Sequence, residues 1–535
     1  MSVSLPQNTD APAQTVADFQ NEKGRRSRWL ALRGVVFGAM VAAGLVAIGS
    51  IPRLSMTSLA SSPIISLVLI FAVGLLALLW RYPGIALPLA FGSALLFEWM
   101  PTTYPDSLTD AVPVFWNINT IFQTYLRINF KALPISPFEL ILVTAGIFSF
   151  LQAVIGRSFK ISLGTPVIYV PMLTYAAFVV FGFLNGMAQG GDFKLALQET
   201  RAQFYFVLLY FMTLNIVKDR AQVSRMLWTL GVCMVIKAAL YTFRRYVTLG
   251  GLPLPDQGVG SHEEAFLLNG AFVLALCLTL TGTHEKLQRF LWLLMPLILL
   301  GNLATNRRAG TAALAIALPI VLVAVMRSMP HRRKAAASIG IAIAVAFAVY
   351  YPVFKNSSGI LALPARSIKS QFQPDARDAS SNAYREAENK NLMATIRTAP
   401  VTGYGYGRRF LHAVEIANIS EIYEWWDLLP HNQVLWVWMR VGTGGYMAFW
   451  LMWFGIIVHA CFTIRRPNLD RMTKAVALNG LLVGIMLLIF GLLDLQLSNM
   501  RSMLFGAICV GLVSAVSPRT TLEPMGEEDR LKGGA

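Results

Sequence analysis

The sequence predicts an all-helical membrane protein that crosses the bilayer many times and carries one large loop outside it. Three observations predict this class. Of the 535 residues, 55% are hydrophobic and only 14% are charged, whereas soluble proteins average about 25% charged residues. Apolar runs recur along the chain, and a spanning helix needs roughly 20 mostly apolar residues. A polar stretch at 355–430 is far longer than an ordinary connection. The composition excludes an ordinary soluble enzyme and a disordered protein.

We predict about 12–14 spans. The run at 203–217 is short, and the run at 432–464 would measure roughly 50 Å as one helix. Because Gly442-Thr443-Gly444-Gly445 interrupts the latter, a short helix followed by a true span is the alternative there. The apolar runs lie at about 30–50, 63–80, 84–100, 138–156, 165–184, 203–217, 226–246, 265–282, 290–304, 311–326, 336–354, 432–464, 475–493 and 501–516.

The basic residues predict the orientation of these spans. The net charge of +17 would suggest a nucleic-acid partner in a soluble protein, but in a membrane protein it is first an orientation signal. With fourteen spans and the N-terminus inside, 23 of the 45 Lys and Arg residues lie in cytoplasmic segments and 19 lie outside. The predicted segments are a cytoplasmic tail (1–28), eleven spans with short loops (29–354), a large outer loop (355–430), three spans (431–517) and a second cytoplasmic tail (518–535).

Several common kinds of site have no counterpart in the sequence. The four cysteines lie inside apolar runs without the spacing of a disulfide framework or a zinc site. An Asp-x-Asp pair, a P-loop and a GxSxG elbow are also missing from the sequence. The sequence therefore predicts neither a metal nor a cofactor.

His431 is the first candidate for chemistry. It lies where the large loop meets an apolar run, with Asn432 as the expected helix N-cap. The positive end of a helix dipole disfavours a protonated imidazole, and a neutral imidazole can act as a general base. We expect Glu424 or Asp427 to orient its other ring nitrogen. A histidine that only caps the helix is the alternative, which position alone favours.

Arginines at outer ends of spans are the second candidate group, because pairs of positive charges there oppose the usual orientation bias. Arginine presents a planar fork of donors that suits phosphate oxygens. An anionic substrate in the membrane, such as a lipid diphosphate, would explain them, and snorkelling to lipid headgroups is the alternative. The residues are Arg201, Arg244, Arg245, Arg307 and Arg308.

The large loop has its own pattern. Its first part, 355–410, holds nine basic residues, Arg385 among them, and the part from 411 to 430 holds only acidic charges. The sequence predicts an amphipathic helix over 383–398 that ends before Pro400. A glycine-rich turn follows at 403–407.

Three motifs resemble those of one family and follow each other along the chain in the family's order. His431-Asn432, followed after nine residues by Gly442-x-x-Gly445, resembles the His-[Asn/Ser/Gln]-x9-Gly signature of the O-antigen ligase and polymerase superfamily. The segment 305–310 (TNRRAG) looks like its Ser-Arg-Gly segment at an outer helix end. The segment 400–407 (PVTGYGYG) looks like its Pro-x-x-Gly-x-Gly stretch before the histidine. The resemblance covers about residues 190–515 and favours a functional His431.

The resemblance implies a fold similar to lipid-linked (GT-C-like) glycosyltransferases in the bacterial inner membrane, with the active site and the large loop in the periplasm. Members transfer a glycan from undecaprenyl diphosphate to an acceptor hydroxyl, without a cofactor. Ligases use a lipid A–core sugar as acceptor, and polymerases use another lipid-linked repeat unit. Other polysaccharide assembly proteins are expected partners, and nucleic acid is not.

The resemblance also implies residue roles. His431 takes the position of the general base, Arg308 that of the Ser-Arg arginine, and Arg201 that of an earlier outer arginine. Together they would perform a base-catalysed transfer that needs no metal. Binding of the diphosphate or the sugar is expected of Arg307, Arg244, Arg245, Arg385, Tyr404 and Trp426.

Two rival functions stay open at this point. A transporter or flippase of lipid-linked oligosaccharide would explain the spans and the outer arginines equally well, but not the large loop that ends in the histidine signature. The other rival is a non-catalytic component of a polysaccharide export complex. Within the enzyme interpretation, the long chain slightly favours a polymerase over a ligase.

Overall fold

A computed structural model describes residues 74–98 (without 76 and 81), 109, 112–126, 135–155, 161–250, 258–357, 359–421 and 423–517. Over these residues the regular secondary structure is helical, which confirms the predicted all-helical membrane class. The main helices are α1 (Ala86–Leu96), α2 (Ile118–Leu126), α3 (Pro137–Ile155), α4 (Pro166–Ala188), α5 (Phe193–Ile216), α6 (Arg220–Phe243), α7 (Glu264–Thr281), α8 (Glu285–Leu293), α9 (Met295–Ala304), α10 (Arg308–Ser328), α11 (Arg333–Phe354), α12 (Leu363–Phe372), α13 (Ala376–Thr398), α14 (Gln433–Arg465), α15 (Arg471–Leu493) and α16 (Met500–Val516).

Seven helices in the described part of the chain are long and apolar enough to cross a membrane, or eight if the bent pair α8–α9 is one span. Helices α1 and α16, and the part of α3 from Pro137 to Phe148, are apolar but shorter. The predicted run at 30–50, most of the run at 63–80 and both predicted tails lie outside the described residues. The total of 12–14 spans and the segment boundaries therefore stay predictions.

Two predicted runs contain breaks. The chain bends by 53° between α8 and α9, within the run at 290–304. In α14 the helix is broken at Gly442, whose φ of 70° is left-handed, so a short helix does precede the longer one. A Cβ atom on Gly442 would lie 2.1 Å from the Val401 carbonyl oxygen, and Thr443 N donates to Pro400 O at 2.9 Å. The turn after Pro400 therefore inserts into the break, and only glycine allows this approach.

The chain divides into two compact units. In the smaller one (1–86 and 140–161), Trp80 and Phe148 make an edge-to-face ring contact at 4.9 Å. In the larger one (87–139 and 162–517 of the described chain), α15 packs against α7, α10, α14 and α16. Because α15 is apolar all round and buried, it forms the centre of this unit.

A buried ion pair joins the last part of the large loop to the membrane helices. Arg440 on α14 and Glu199 on α5 are both fully buried, with Nη2 and Oε1 2.6 Å apart. Arg440 also donates to the carbonyl oxygens of Gly405, Arg408 and Leu428 at 2.6–3.0 Å. Glu199 accepts from Gly407 N at 2.6 Å. The pair thus holds the glycine turn and the chain leading to α14 in one place.

Removal of one partner of this pair should destabilise the protein strongly. Glu199→Ala leaves the Arg440 guanidinium buried without its counter-charge, and we expect a loss of about 3–5 kcal/mol. The measurement is the midpoint of thermal unfolding of the purified protein in detergent. The control is Glu285→Ala, which removes an exposed pair with Arg289 on α8 and should cost about 0.5 kcal/mol or less. Equal midpoints for the two variants would contradict the role of the buried pair.

Candidate functional site

The imidazole of His431 is oriented by a buried carboxylate. Its Nδ1 lies 3.2 and 3.3 Å from the two carboxylate oxygens of Glu388, and its backbone N–H donates to the same group at 2.8 Å. Glu388, on α13, has a side chain only 1% exposed, whereas the His431 side chain is 22% exposed. Asn432 accepts from Leu435 N at 3.1 Å, so it is the N-cap of α14, as predicted. With Nδ1–H donating to Glu388, Nε2 of His431 carries the lone pair.

The sequence-based choice of orienting carboxylate was wrong. Asp427 binds the Arg409 guanidinium, with Nη1 at 2.7 and 2.8 Å from its two oxygens, and Glu388 occupies the position on His431 that we expected for Glu424 or Asp427. Glu388 comes from α13, 43 residues before the histidine. Such a distant partner leaves no local signal in the sequence.

Tyr384 lies one turn before Glu388 on α13 and touches the same imidazole. Its ring centroid is 5.8 Å from that of His431, in an edge-to-face arrangement. Burial, together with the negative charges of Glu388 and Asp427, raises the pKa of the Tyr384 hydroxyl. The buried hydroxyl oxygen has no hydrogen-bond partner among the described residues. It therefore stays protonated and is available to a ligand.

A second imidazole–carboxylate pair lies near the first. Nδ1 of His262 is 2.8 and 3.0 Å from the carboxylate oxygens of Asp494, which follows α15. Burial raises the pKa of Asp494, but the positive charges of His262, His431 and Arg307 outweigh burial and hold it below its usual range. Asp494 is therefore ionised at neutral pH. The same interactions place it within electrostatic range of both His431 and Arg307.

Arginines gather at the N-terminus of α10. Arg308 Nη1 lies 2.9 Å from Asp378 Oδ2 and donates to Ser370 Oγ at 3.3 Å. Arg377 and Arg385 on α13 are within electrostatic range of both Arg307 and Arg308. These four residues, Arg307, Arg308, Arg377 and Arg385, form what we call the arginine cluster.

The arginine cluster has the properties of an anion site. The Nε atoms of Arg307 and Arg385 are buried and have no hydrogen-bond partner among the described residues. Like charges at close range are unfavourable unless an anion neutralises them. The amide N–H groups at the start of α10 add partial positive charge at the same place. Arg307 and Arg308 therefore lie together, as the sequence suggested, and Arg385 joins them from the loop.

The other predicted arginines have partners of their own. Arg201 Nε on α5 lies 3.6 Å from Glu139 on α3, and Glu139 also accepts from the Tyr205 hydroxyl. Arg244, which is buried, and Arg245 belong to a π-helical turn that continues α6. Their part in diphosphate binding stays a prediction.

The two predicted sugar-stacking rings are partly covered by protein. The guanidinium of Arg408 lies over the Tyr404 ring, 3.7 Å from its centroid. Trp426 is 7% exposed and its ring lies 5.1 Å from that of His412. Each ring therefore contributes to packing of the loop, and a role in sugar binding stays a prediction for both.

Sequence reasoning missed His262, Glu388 and Tyr384, and it assigned no role to Asp494. One signal was present: Tyr384 and Glu388 are four residues apart, on one face of the predicted loop helix. Within the described residues, there is no group of three or more His, Cys, Asp and Glu side chains that could hold a metal ion.

Residues 290–450 match the family model described as O-antigen ligase. The match spans the arginine cluster, α13 and His431, and confirms the resemblance to the O-antigen ligase and polymerase superfamily. Asp494 and His262 lie outside the matched region. A search of curated proteins finds no match.

The arginine cluster should bind inorganic pyrophosphate. We expect pyrophosphate to raise the thermal midpoint of the purified protein, and Arg385→Gln to weaken the binding at least tenfold, or by about 1.4 kcal/mol. Arg289→Gln, on the exposed face of α8, is the matched control and should bind like the wild type. Isothermal titration measures the affinities. Equal affinities for all three proteins would contradict an anion site at the cluster.

Proposed function

Because the chain carries a region of the O-antigen ligase family, we propose that it is a membrane glycosyltransferase that uses a polyprenyl-diphosphate-linked glycan. The donor is undecaprenyl diphosphate carrying the glycan. The acceptor is a hydroxyl of a lipid A–core sugar or of the end of another lipid-linked repeat unit. The observation that carries this proposal is a carboxylate-oriented histidine close to a cluster of arginines.

The proposed base is His431. Glu388 holds Nδ1–H, so Nε2 is free to take the proton of the acceptor hydroxyl. The acceptor oxygen then attacks the anomeric carbon of the donor, with inversion, and the bond from this carbon to the diphosphate oxygen breaks. The buried carboxylate keeps the imidazole in the tautomer that the reaction needs, as in a catalytic triad.

The arginine cluster is proposed to hold the leaving diphosphate. Asp378 holds the Arg308 guanidinium in place before the reaction. Little reorganisation of the protein is therefore needed when negative charge develops on the leaving oxygen. Arg201, Arg244 and Arg245 are proposed to guide the diphosphate from the outer ends of α5 and α6. The four guanidinium groups of the arginine cluster would neutralise the charge of the leaving diphosphate without a metal ion.

We further propose that the chain is a multi-pass protein of the bacterial inner membrane with both termini in the cytoplasm, and that the site faces the periplasm. Residues 355–430 form the periplasmic loop that carries α12 and α13 between the two groups of spans. The expected partners are the donor, the acceptor, the membrane and other polysaccharide assembly proteins.

His431→Ala should fold but lose transfer. Loss of the general base is expected to lower turnover about 10²–10⁴-fold. The assay uses purified protein in detergent with lipid-linked donor and acceptor, and detects the new glycosidic bond. A flippase would form no such bond, and an unchanged rate in the variant would exclude His431 as the base.

A deletion strain distinguishes the two kinds of acceptor. Single repeats in place of long chains would indicate a polymerase. Free lipid-linked polymer together with bare lipid A–core would indicate a ligase.

Glu388→Gln should lower turnover at least about tenfold, because the neutral amide no longer fixes the tautomer of His431. The matched control is Glu386→Gln on the same helix, where Glu386 makes an exposed pair with Lys390 at 2.8 Å. We expect the control to keep wild-type turnover. The initial rate against pH is measured for each protein. Equal profiles for all three would show that Glu388 does not position the base.

A further inference from the structure

The His262–Asp494 pair has no role in the reaction described so far. His262 is one of six histidines in the sequence and lies in the turn before α7. The Asp494 carboxylate is 5% exposed, whereas the His262 side chain is 38% exposed. Since Nδ1 donates to the carboxylate, Nε2 is the ring atom left for a ligand. This is the same arrangement that Glu388 imposes on His431.

The pair is connected to the segment that carries Arg307, one of the arginines proposed to hold the leaving diphosphate. Val259 N donates to Ala304 O at 3.1 Å, so the turn that carries His262 is fixed against the end of α9. Arg307 follows that end by three residues and lies within electrostatic range of Asp494. Asp494 also lies within electrostatic range of His431. The carboxylate that holds the second imidazole is therefore within electrostatic range of both the proposed base and one arginine of the cluster.

The two histidines have similar surroundings but different neighbours. Each precedes the N-terminus of a helix, α14 for His431 and α7 for His262, and each has Nδ1 on a carboxylate. The turn that carries His262 is bonded to the end of α9, three residues before Arg307 of the arginine cluster. General acid–base catalysis uses one group that accepts a proton and a second group that donates one.

We propose that His262 is a second acid–base residue of the transfer, and that its protonated imidazole donates to the diphosphate oxygen that leaves the anomeric carbon. The inference rests on the proposed glycosyltransferase function. Arginine cannot fill this role, because it does not release its proton at any physiological pH. Histidine is the side chain whose proton exchanges near neutrality.

The acceptor oxygen forms a bond to the anomeric carbon and gives its proton to Nε2 of His431. The bond between this carbon and the diphosphate oxygen breaks, and the electron pair stays with that oxygen. The oxygen takes the proton from Nε2 of His262. His431 has then gained one proton and His262 has lost one, and both partly exposed rings return to their starting states by exchange with water.

Several charged groups surround the pair and must be considered in any pH profile. Asp494 follows α15, Arg307 precedes α10 and His431 precedes α14. Glu263 accepts from Arg501 Nη1 on α16 at 2.8 Å, so its charge is compensated. Loss of activity at high pH reports the group that must be protonated, and loss at low pH reports the group that must be neutral.

The test is His262→Gln in the full-length protein, with the steady-state rate of glycosidic bond formation measured against pH. We expect kcat to fall at least about 100-fold, KM for the donor to change less than about threefold, and the high-pH limb of the profile to disappear. The matched control is His331→Gln, an exposed histidine in the turn after α10, which should behave like the wild type. Asp494→Asn, which keeps the imidazole but removes its counter-charge, should move the high-pH limb to lower pH.

The outcomes separate the two proposals. If His262→Gln keeps wild-type kcat and both limbs while His431→Ala is inactive, the transfer stands and His262 is not its acid. If the wild-type protein forms no glycosidic bond, the proposed function itself fails. If His262→Gln lowers the thermal midpoint, the Asp494→Asn profile decides, and an unmoved high-pH limb in that variant overturns the inference.

Discussion

The buried ion pair between Arg440 and Glu199 is the interaction on which the site depends. Two charges without water are costly, and hydrogen bonds to backbone carbonyls, a backbone N–H and the Trp436 indole offset part of that cost for this pair. Through those bonds it fixes the second half of the glycine turn and two points of the chain that leads from it to α14. His431 is nine residues before Arg440, so its position follows from this anchor together with Glu388. A polar loop is thereby given a fixed position on an apolar helix bundle.

The site draws on segments that are far apart in the chain. α13 supplies Glu388, Tyr384 and two arginines, while the start of α10 supplies Arg307 and Arg308. Asp494 comes from the end of α15 and His262 from the turn before α7. The buried centre of the larger unit, formed around α15, fixes the directions of α7, α10 and α14, and hence the places where their polar ends meet. The apolar packing therefore determines which charges become neighbours.

Much of the fold was predictable because membrane helices are encoded locally, in apolar runs of the necessary length. The loop helix was also predicted, although it begins at Ala376 rather than at residue 383 because Asp375 caps it. His431, Arg307 and Arg308 could be proposed from the sequence because each lies at a predicted boundary between loop and helix. Glu388, His262 and Asp494 could not be assigned, since their roles depend on tertiary neighbours. The orienting carboxylate was misassigned because nearness in sequence was taken for nearness in space.

The break at Gly442 separates two directions in one apolar run. The residues after it form a long apolar helix that packs against α4 and α15. The residues before it form a short helix that follows the histidine and is fastened by Arg440 to α5 and to the loop. The left-handed glycine lets the short helix take a direction set by these polar bonds, while the long helix takes one set by its apolar neighbours. A single straight helix could not meet both requirements.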